Sequence, residues 1–172
     1  WGALSAWQDD QGDSWVYVPV QGPVSKLAPQ FPLSNGPNPN GSVMAFKVTT
    51  DPQKSTPILA PAWISGDFNI PDPVVIANGI VFALSTGEDV RQTKEGGVIT
   101  NPGLTQLNIS QRKEKTNHAV LYALDAKTGK VLYQSGDAID TWVHFSGLAA
   151  ANGRVYAVDY KSQVYCFGLE GK

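Results

Sequence analysis

An Asn-Gly pair set between two short apolar runs occurs twice in this chain. Val75-Ile76-Ala77-Asn78-Gly79-Ile80-Val81-Phe82-Ala83-Leu84 reads against Ala149-Ala150-Ala151-Asn152-Gly153-Arg154-Val155-Tyr156-Ala157-Val158. Asn-Gly supplies the two positive φ angles of a type I′ turn, so each copy predicts a tight β-hairpin. A further strand-like run follows each hairpin. Val120-Leu121-Tyr122-Ala123-Leu124-Asp125 is matched by Val164-Tyr165-Cys166-Phe167-Gly168-Leu169, and Val43-Met44-Ala45-Phe46-Lys47-Val48 is a third copy. Near the start, Leu4-Ser5-Ala6-Trp7 and Trp15-Val16-Tyr17-Val18 flank Asp9-Asp10-Gln11-Gly12-Asp13-Ser14, the same hairpin with a longer turn.

The repeats assemble into units of four strands. Unit one, residues 1–66, has strands near 3–8, 15–20, 42–48 and 58–65. Unit two, 67–137, has 74–77, 80–85, 119–125 and 130–135. Unit three, 138–172, has 147–151, 154–159 and 163–168, and no fourth strand. Helical periodicity is absent apart from a weak case over 104–116. Eleven short strands in repeated antiparallel units predict an all-β fold of the β-propeller kind, about three blades with the last incomplete. A sandwich or barrel is the alternative. A propeller closes with ~4–8 blades. This single propeller stretch, 1–172, is therefore expected to need the remaining blades of a parent chain, or other copies of itself. Trp1 in place of an initiator Met agrees with a processed or excised piece.

Composition limits the partners. Thirteen Lys and Arg stand against fifteen Asp and Glu, a formal net charge of −2, so no basic excess recruits nucleic acid. No apolar run approaches the ~20 residues of a membrane span. One cysteine, Cys166, excludes an internal disulfide and a cysteine-based metal centre. Within an apolar run it reads as a small core residue. No metal site is expected, and Gly-x-Ser-x-Gly and His-Glu-x-x-His do not occur.

Ala123-Leu124-Asp125-Ala126-Lys127-Thr128-Gly129-Lys130-Val131-Leu132-Tyr133 resembles the blade repeat of pyrroloquinoline-quinone-type, or quinoprotein-like, propellers, in their C-terminal blades. Those repeats run Ala-x-Asp-x-x-Thr-Gly-x-x-x-Trp. Units two and three match well and unit one loosely. Asp125 is expected to accept backbone N–H bonds in the turn, and Gly129 to supply its positive φ. The resemblance implies a Trp packed between blades; Tyr133 takes that position in unit two, and Trp63 stands at the equivalent place in unit one. It also implies an exported protein, periplasmic or secreted, and pyrroloquinoline quinone with calcium as a cofactor open to the complete ring. Quinoprotein alcohol dehydrogenases commonly carry two adjacent cysteines beside the quinone, and this chain has none.

In the family's topology the second-to-third and fourth-to-first connections emerge on one face. Both long connections here, 21–41 and 86–118, are second-to-third. The first is rich in Pro and Asn and reads as stiff, extended backbone. The second carries Arg91, Lys94, Glu95, Arg112, Lys113, Glu114 and Lys115 and reads as solvated. Gly96-Gly97 is a weak phosphate-loop candidate, since no Lys-Ser/Thr follows. The densest chemistry lies in the fourth-to-first connections: Asp137, Asp140, Trp142 and His144 in one, Asn69 and Asp72 in its counterpart. The carboxylates and His144 could bind a metal or act as acid and base, and Trp142 could stack on a flat ligand. Alternatively the carboxylates cap turns and Trp142 packs between units. The expected function is a ligand- or partner-binding module. The alternative is part of a quinone-dependent alcohol or sugar dehydrogenase.

Overall fold

The computed structural model describes residues 3–96 and 102–168. It is all-β, built from three sheets in chain order. Sheet one holds β1 (Ser5–Gln8), β2 (Ser14–Gln21), β4 (Gly41–Thr50) and β5 (Pro57–Ile64), joined antiparallel in that order, with β3 (Leu33–Ser34) on its outer edge. Sheet two is the antiparallel meander β6 (Val75–Ala77), β7 (Ile80–Ser85), β8 (Val120–Asp125) and β9 (Val131–Gln134). Sheet three is β10 (Leu148–Ala151), β11 (Arg154–Val158) and β12 (Val164–Gly168). The first strands β1, β6 and β10 lie beside one another across the three sheets.

The turn chemistry explains these strands. Asn78 and Gly79 have φ of 51° and 73°, and Asn152 and Gly153 have 52° and 71°, the double left-handed pair that a two-residue hairpin requires. Asp125 Oδ1 accepts from the backbone N–H of Lys127 at 3.0 Å and of Thr128 at 2.8 Å, and from the Thr128 hydroxyl at 2.8 Å. Gly129 closes that turn at φ +70°. Both roles are those the motif dictates.

Period-2 alternation distributes the core. Trp15, Tyr17, Val43, Ala45 and Trp63 of sheet one pack on Val81, Ala83, Leu124 and Ala126 of sheet two. The opposite face of sheet two, through Leu84 and Leu121, packs on Val155 and Ala157 of sheet three. Sheet two is thus covered on both faces, as near-continuous apolar strands require.

Trp63 is fully buried, and its ring lies where a Cβ on Gly129 would sit. Its Nε1–H donates to the Ala126 carbonyl at 2.9 Å, and the Tyr17 hydroxyl donates to the same oxygen at 3.1 Å. Trp63 pairs with Ala45 just before a bulge in β4, and Tyr133 pairs with Ala123 just before a bulge in β8. The two aromatics therefore hold the same place in their sheets. Tyr133, in contrast, is exposed.

Three expectations are corrected. A twelfth strand, β3, forms inside the Pro- and Asn-rich connection and pairs parallel with β5, Leu33 opposite Trp63. Asn35 explains it: its amide donates to the carbonyls of Ile64 and Thr128 and pins the connection to the sheet edge. The 86–118 connection is not simply solvated. Glu88, Asp89, Gln92, Thr93 and Leu107 are buried in it, and helix α1 (Ile109–Lys113) falls within the weakly periodic stretch. Cys166 is exposed rather than core. On β12 the alternation sends Tyr165 and Phe167 into the core between sheets two and three, so Cys166 faces outward beside Arg154. Gly97 of the phosphate-loop candidate lies outside the described residues.

Candidate functional site

Two kinds of connection meet at one end of the stacked sheets. The fourth-to-first connections are 65–74 and 135–147. They are braced by backbone bonds to the second-to-third ones. Phe68 N–H donates to Gly41 O, Thr86 N–H to Asn69 O, Val143 N–H to Thr86 O and Ala119 N–H to Thr141 O, all at 2.9–3.0 Å. Asn40 grips Asp67 with its backbone and side-chain N–H groups at 2.8 and 2.7 Å.

The insertion after β7 is closed at its base by Asn117 N–H donating to Gly87 O at 2.7 Å. Gly87 has φ +71°, and a Cβ there would meet the Asn117 and His118 carbonyl oxygens at 2.5 Å. Only glycine fits that approach. Further out, Lys94 N–H donates to Thr105 O and Leu107 N–H to Gln92 O, making a short arm. Asn108 then caps α1. Its side chain accepts from Gln111 N–H at 2.9 Å, and the Gln111 side chain accepts from Asn108 N–H at 3.1 Å. This reciprocal box fixes the start of a helix too short to persist alone.

That geometry delivers Arg112 to Glu88. Glu88 is 2 % exposed and pairs with the Arg112 guanidinium on one side. On the other, its Oε2 lies 2.9 Å from His144 Nδ1. Burial, and then the Arg112 cation, press the His144 pKa below its ordinary value, while Asp72 pulls it up. The imidazole is then neutral at pH 7. An ionised carboxylate only accepts, so Nδ1 carries the proton toward Glu88 and Nε2 is left as an acceptor. The Arg112 Nε–H is buried without a hydrogen-bond partner.

These groups line a cavity of about 100 Å³, with Gln21, Ile70, Gln92, Gln106, Leu107 and Phe145. A second cavity of about 210 Å³ adjoins it, lined by Asp72, Pro71, Pro73, Ser146 and Gly147, and Ile70 and Phe145 border both. Those two residues have φ of 46° and 54°. A bulky or β-branched side chain in the left-handed region is an outlier that costs on the order of 1–3 kcal/mol, and such strain collects at ligand clamps. Phe145 is also 58 % exposed, its ring centroid 4.0 Å from that of His144.

The structure places the residues singled out from the sequence unequally. His144 lines the smaller cavity and Asp72 the larger one. Asp72 accepts Gly147 N–H at 3.3 Å, and burial raises its pKa. Asn69 acts through its backbone, its N–H donating to Ser85 Oγ and its carbonyl accepting from Thr86. Trp142 is buried, stacked on Tyr160 with centroids 4.2 Å apart, so a neighbouring ring takes the face offered to a flat ligand. Asp137 and Asp140 are exposed, and neither lines these cavities; Asp140 N–H donates to the Tyr165 hydroxyl at 3.1 Å. Glu88, Ile70 and Phe145 carried no signal in the sequence. Arg112 stood out only as one charge among several in a polar connection.

Among the described residues no group of three or more His, Cys, Asp and Glu is placed to hold a metal ion. Calcium takes ~6–8 oxygen ligands, and the Glu88 carboxylate is already engaged by Arg112 and His144. Neither cavity reaches the ~300 Å³ at which drug-sized sites begin. A tricyclic quinone with its calcium therefore does not fit these residues. Comparison with family models, with curated proteins and with solved structures finds no match for this chain.

Proposed function

We propose that this chain is a stretch of quinoprotein-like β-propeller whose function is to bind a small ligand or partner on its connection face. The observation that carries the reading is the Glu88–Arg112–His144 cluster. Its members come from the insertion after β7, from α1 and from the connection before β10, and they converge on one cavity. A buried, internally neutralised ion pair is weak evidence for stability, so its place at the cavity is the reason for reading it as a binding group. Three successive sheets, of five, four and three strands among the described residues, with β1, β6 and β10 side by side and Trp63 docked on the next sheet, support the blade reading. The remaining blades come from a parent chain or from further copies. By the same resemblance the protein is exported, periplasmic or secreted. Binding is preferred to the dehydrogenase reading because the cavity is small and its carboxylate is committed.

The test is a ¹⁵N correlation spectrum recorded with separate additions of propionamide, inorganic phosphate, calcium chloride, and pyrroloquinoline quinone with calcium chloride. The expected result is that propionamide or phosphate shifts resonances of Glu88, Arg112 and His144 saturably, while calcium chloride alone does not. Saturable binding of the quinone alone would turn the reading to the dehydrogenase. Shifts confined to surfaces away from the cavity would remove the site.

A further inference from the structure

Going beyond the cluster at Glu88, we infer that the larger cavity beside it is a site for a primary alkylammonium ion, held at Asp72. Asp72 is 5 % exposed and lines that cavity. Its Oδ2 accepts the Gly147 N–H at 3.3 Å, and its Oδ1 accepts no hydrogen bond among the described residues. Oδ1 is nevertheless not sealed inside the protein, so an occupant of the cavity can reach it. A carboxylate offers about four acceptor positions, and most of them are open here.

The charges around Asp72 leave it without a counter-ion. Glu88 and Arg112, in the adjoining cavity, are paired with each other. His144 is the titratable group close enough to act on Asp72, and it is uncharged at neutral pH. No Lys or Arg among the described residues is ion-paired with Asp72. Burying a carboxylate with no cation beside it is costly, and burial raises its pKa accordingly. A ligand cation supplies the missing charge.

The rest of the polar lining asks for donors too. The Ser146 hydroxyl hydrogen is spent on the Val158 carbonyl at 2.8 Å, so its oxygen is left as an acceptor. The Gly147 N–H is spent on Asp72. Donors are committed and acceptors are open. A primary ammonium brings three N–H donors together with its charge. The remaining wall is Ile70, Pro71, Pro73 and Phe145, which suits a hydrocarbon stem, and a volume of about 210 Å³ has room for head and stem. Calcium takes ~6–8 oxygen ligands, and one carboxylate with one hydroxyl falls short of that set. The ammonium belongs to a free alkylamine or to the Lys side chain of a peptide, and the head-group chemistry is the same.

The test titrates n-butylammonium, n-butyltrimethylammonium, n-butanol and butyrate into the whole protein at neutral pH. Each is followed in a ¹⁵N spectrum, with sodium chloride at matched concentration as the blank. Saturable shifts of the Asp72, Ser146 and Gly147 amides are expected with n-butylammonium, with a Kd on the order of 1 mM. The trimethyl cation keeps the charge but loses the N–H donors, and should bind at least about tenfold more weakly. Butanol and butyrate should bind more weakly still. Asp72→Asn keeps an acceptor for Gly147 and removes the charge. It should weaken n-butylammonium at least about tenfold without lowering the melting temperature. If that variant disturbs folding, the parent protein decides the matter. Saturating n-butylammonium should lower the titration midpoint of the Asp72 carboxyl carbon, read by ¹³C, by about one pH unit. Acetyl-Lys-methylamide binding more tightly than n-butylammonium would support the site with a peptide source, and weaker binding would support it with a free amine. Butanol, butyrate or the trimethyl cation matching n-butylammonium would overturn the assignment. No saturable shift with n-butylammonium and an unmoved Asp72 midpoint would also overturn it, leaving a cavity that holds water only. In either case propionamide or phosphate shifting Glu88, Arg112 and His144 would leave the binding reading standing, and their failure would end both.

Discussion

The indole N–H of Trp63 and the hydroxyl of Tyr17 donate to one oxygen, the carbonyl of Ala126, across the interface between sheets one and two. That oxygen belongs to the turn opened by Asp125 and closed by Gly129. The turn therefore shapes its own hairpin and also receives the neighbouring sheet.

Trp63→Ala should destabilise the protein by about 3–5 kcal/mol, the usual cost of emptying a large aromatic site. Gly129→Ala should act through the same contact from the other side. The new Cβ meets the Trp63 ring, and φ is +70°. Tyr17→Phe removes only one of two donors and should cost about 1 kcal/mol. Urea denaturation of the three variants checks the order. Equal effects would show that the shared carbonyl is not the docking point.

Asp125→Ala removes an acceptor of two backbone N–H groups and one hydroxyl. A loss of about 1–2 kcal/mol is expected. Asp125→Asn should recover part of it, since an amide oxygen still accepts. Thermal melts of the pair test whether the turn depends on these bonds.

These sheet elements were legible because their chemistry is local. Asn78-Gly79 and Asn152-Gly153 dictate their turns wherever they sit, and Asp125 and Gly129 act within five residues of each other. The site was legible only through His144 and Asp72. Glu88 reaches Arg112 and His144 through the fold of a long insertion, a relationship with no sequence period. The left-handed backbone of Ile70 and Phe145 runs against residue preference, so propensity could not reveal it. The position of Cys166 was missed for another reason. An apolar strand pattern shows that residues alternate between faces, but not which face has a neighbouring sheet.

Lys127 holds the Asp9 carboxyl at a pKa of about 2, helped by the backbone N–H groups of Asp13 and Gln11 and the Trp15 indole. Their Nζ–Oδ2 distance is 2.9 Å and links the first turn of sheet one to the third turn of sheet two. The folded pKa lies below the unfolded value, so the stabilisation is present above about pH 4 and is lost as pH falls toward 2. Lys127→Met should flatten the pH dependence of the urea midpoint across that interval. An unchanged slope would place the acid sensitivity elsewhere.

His144 gives a second pH dependence. Its folded pKa is lowered, so stability is fully present above the ordinary histidine value of about 6.5 and falls as pH drops through the folded one. Asp72 has the opposite sign. Its raised pKa makes stability fall as pH rises from its ordinary value of 3.8 through the folded one. The two are separated by comparing melting temperatures of the parent and His144→Gln between pH 5 and 7.5. The variant should lose the decline toward low pH, and a decline of equal size in both would rule His144 out as its source.

The account as a whole rests on three stacked sheets being successive units of a ring that continues beyond them. A native mass spectrum of the purified protein, with a denatured spectrum beside it, tests this most directly. The account predicts a native particle heavier than the 18.4 kDa chain, completed by further copies or by additional polypeptide. A folded, soluble particle of 18.4 kDa alone would contradict it, and would make the three sheets a self-contained stack.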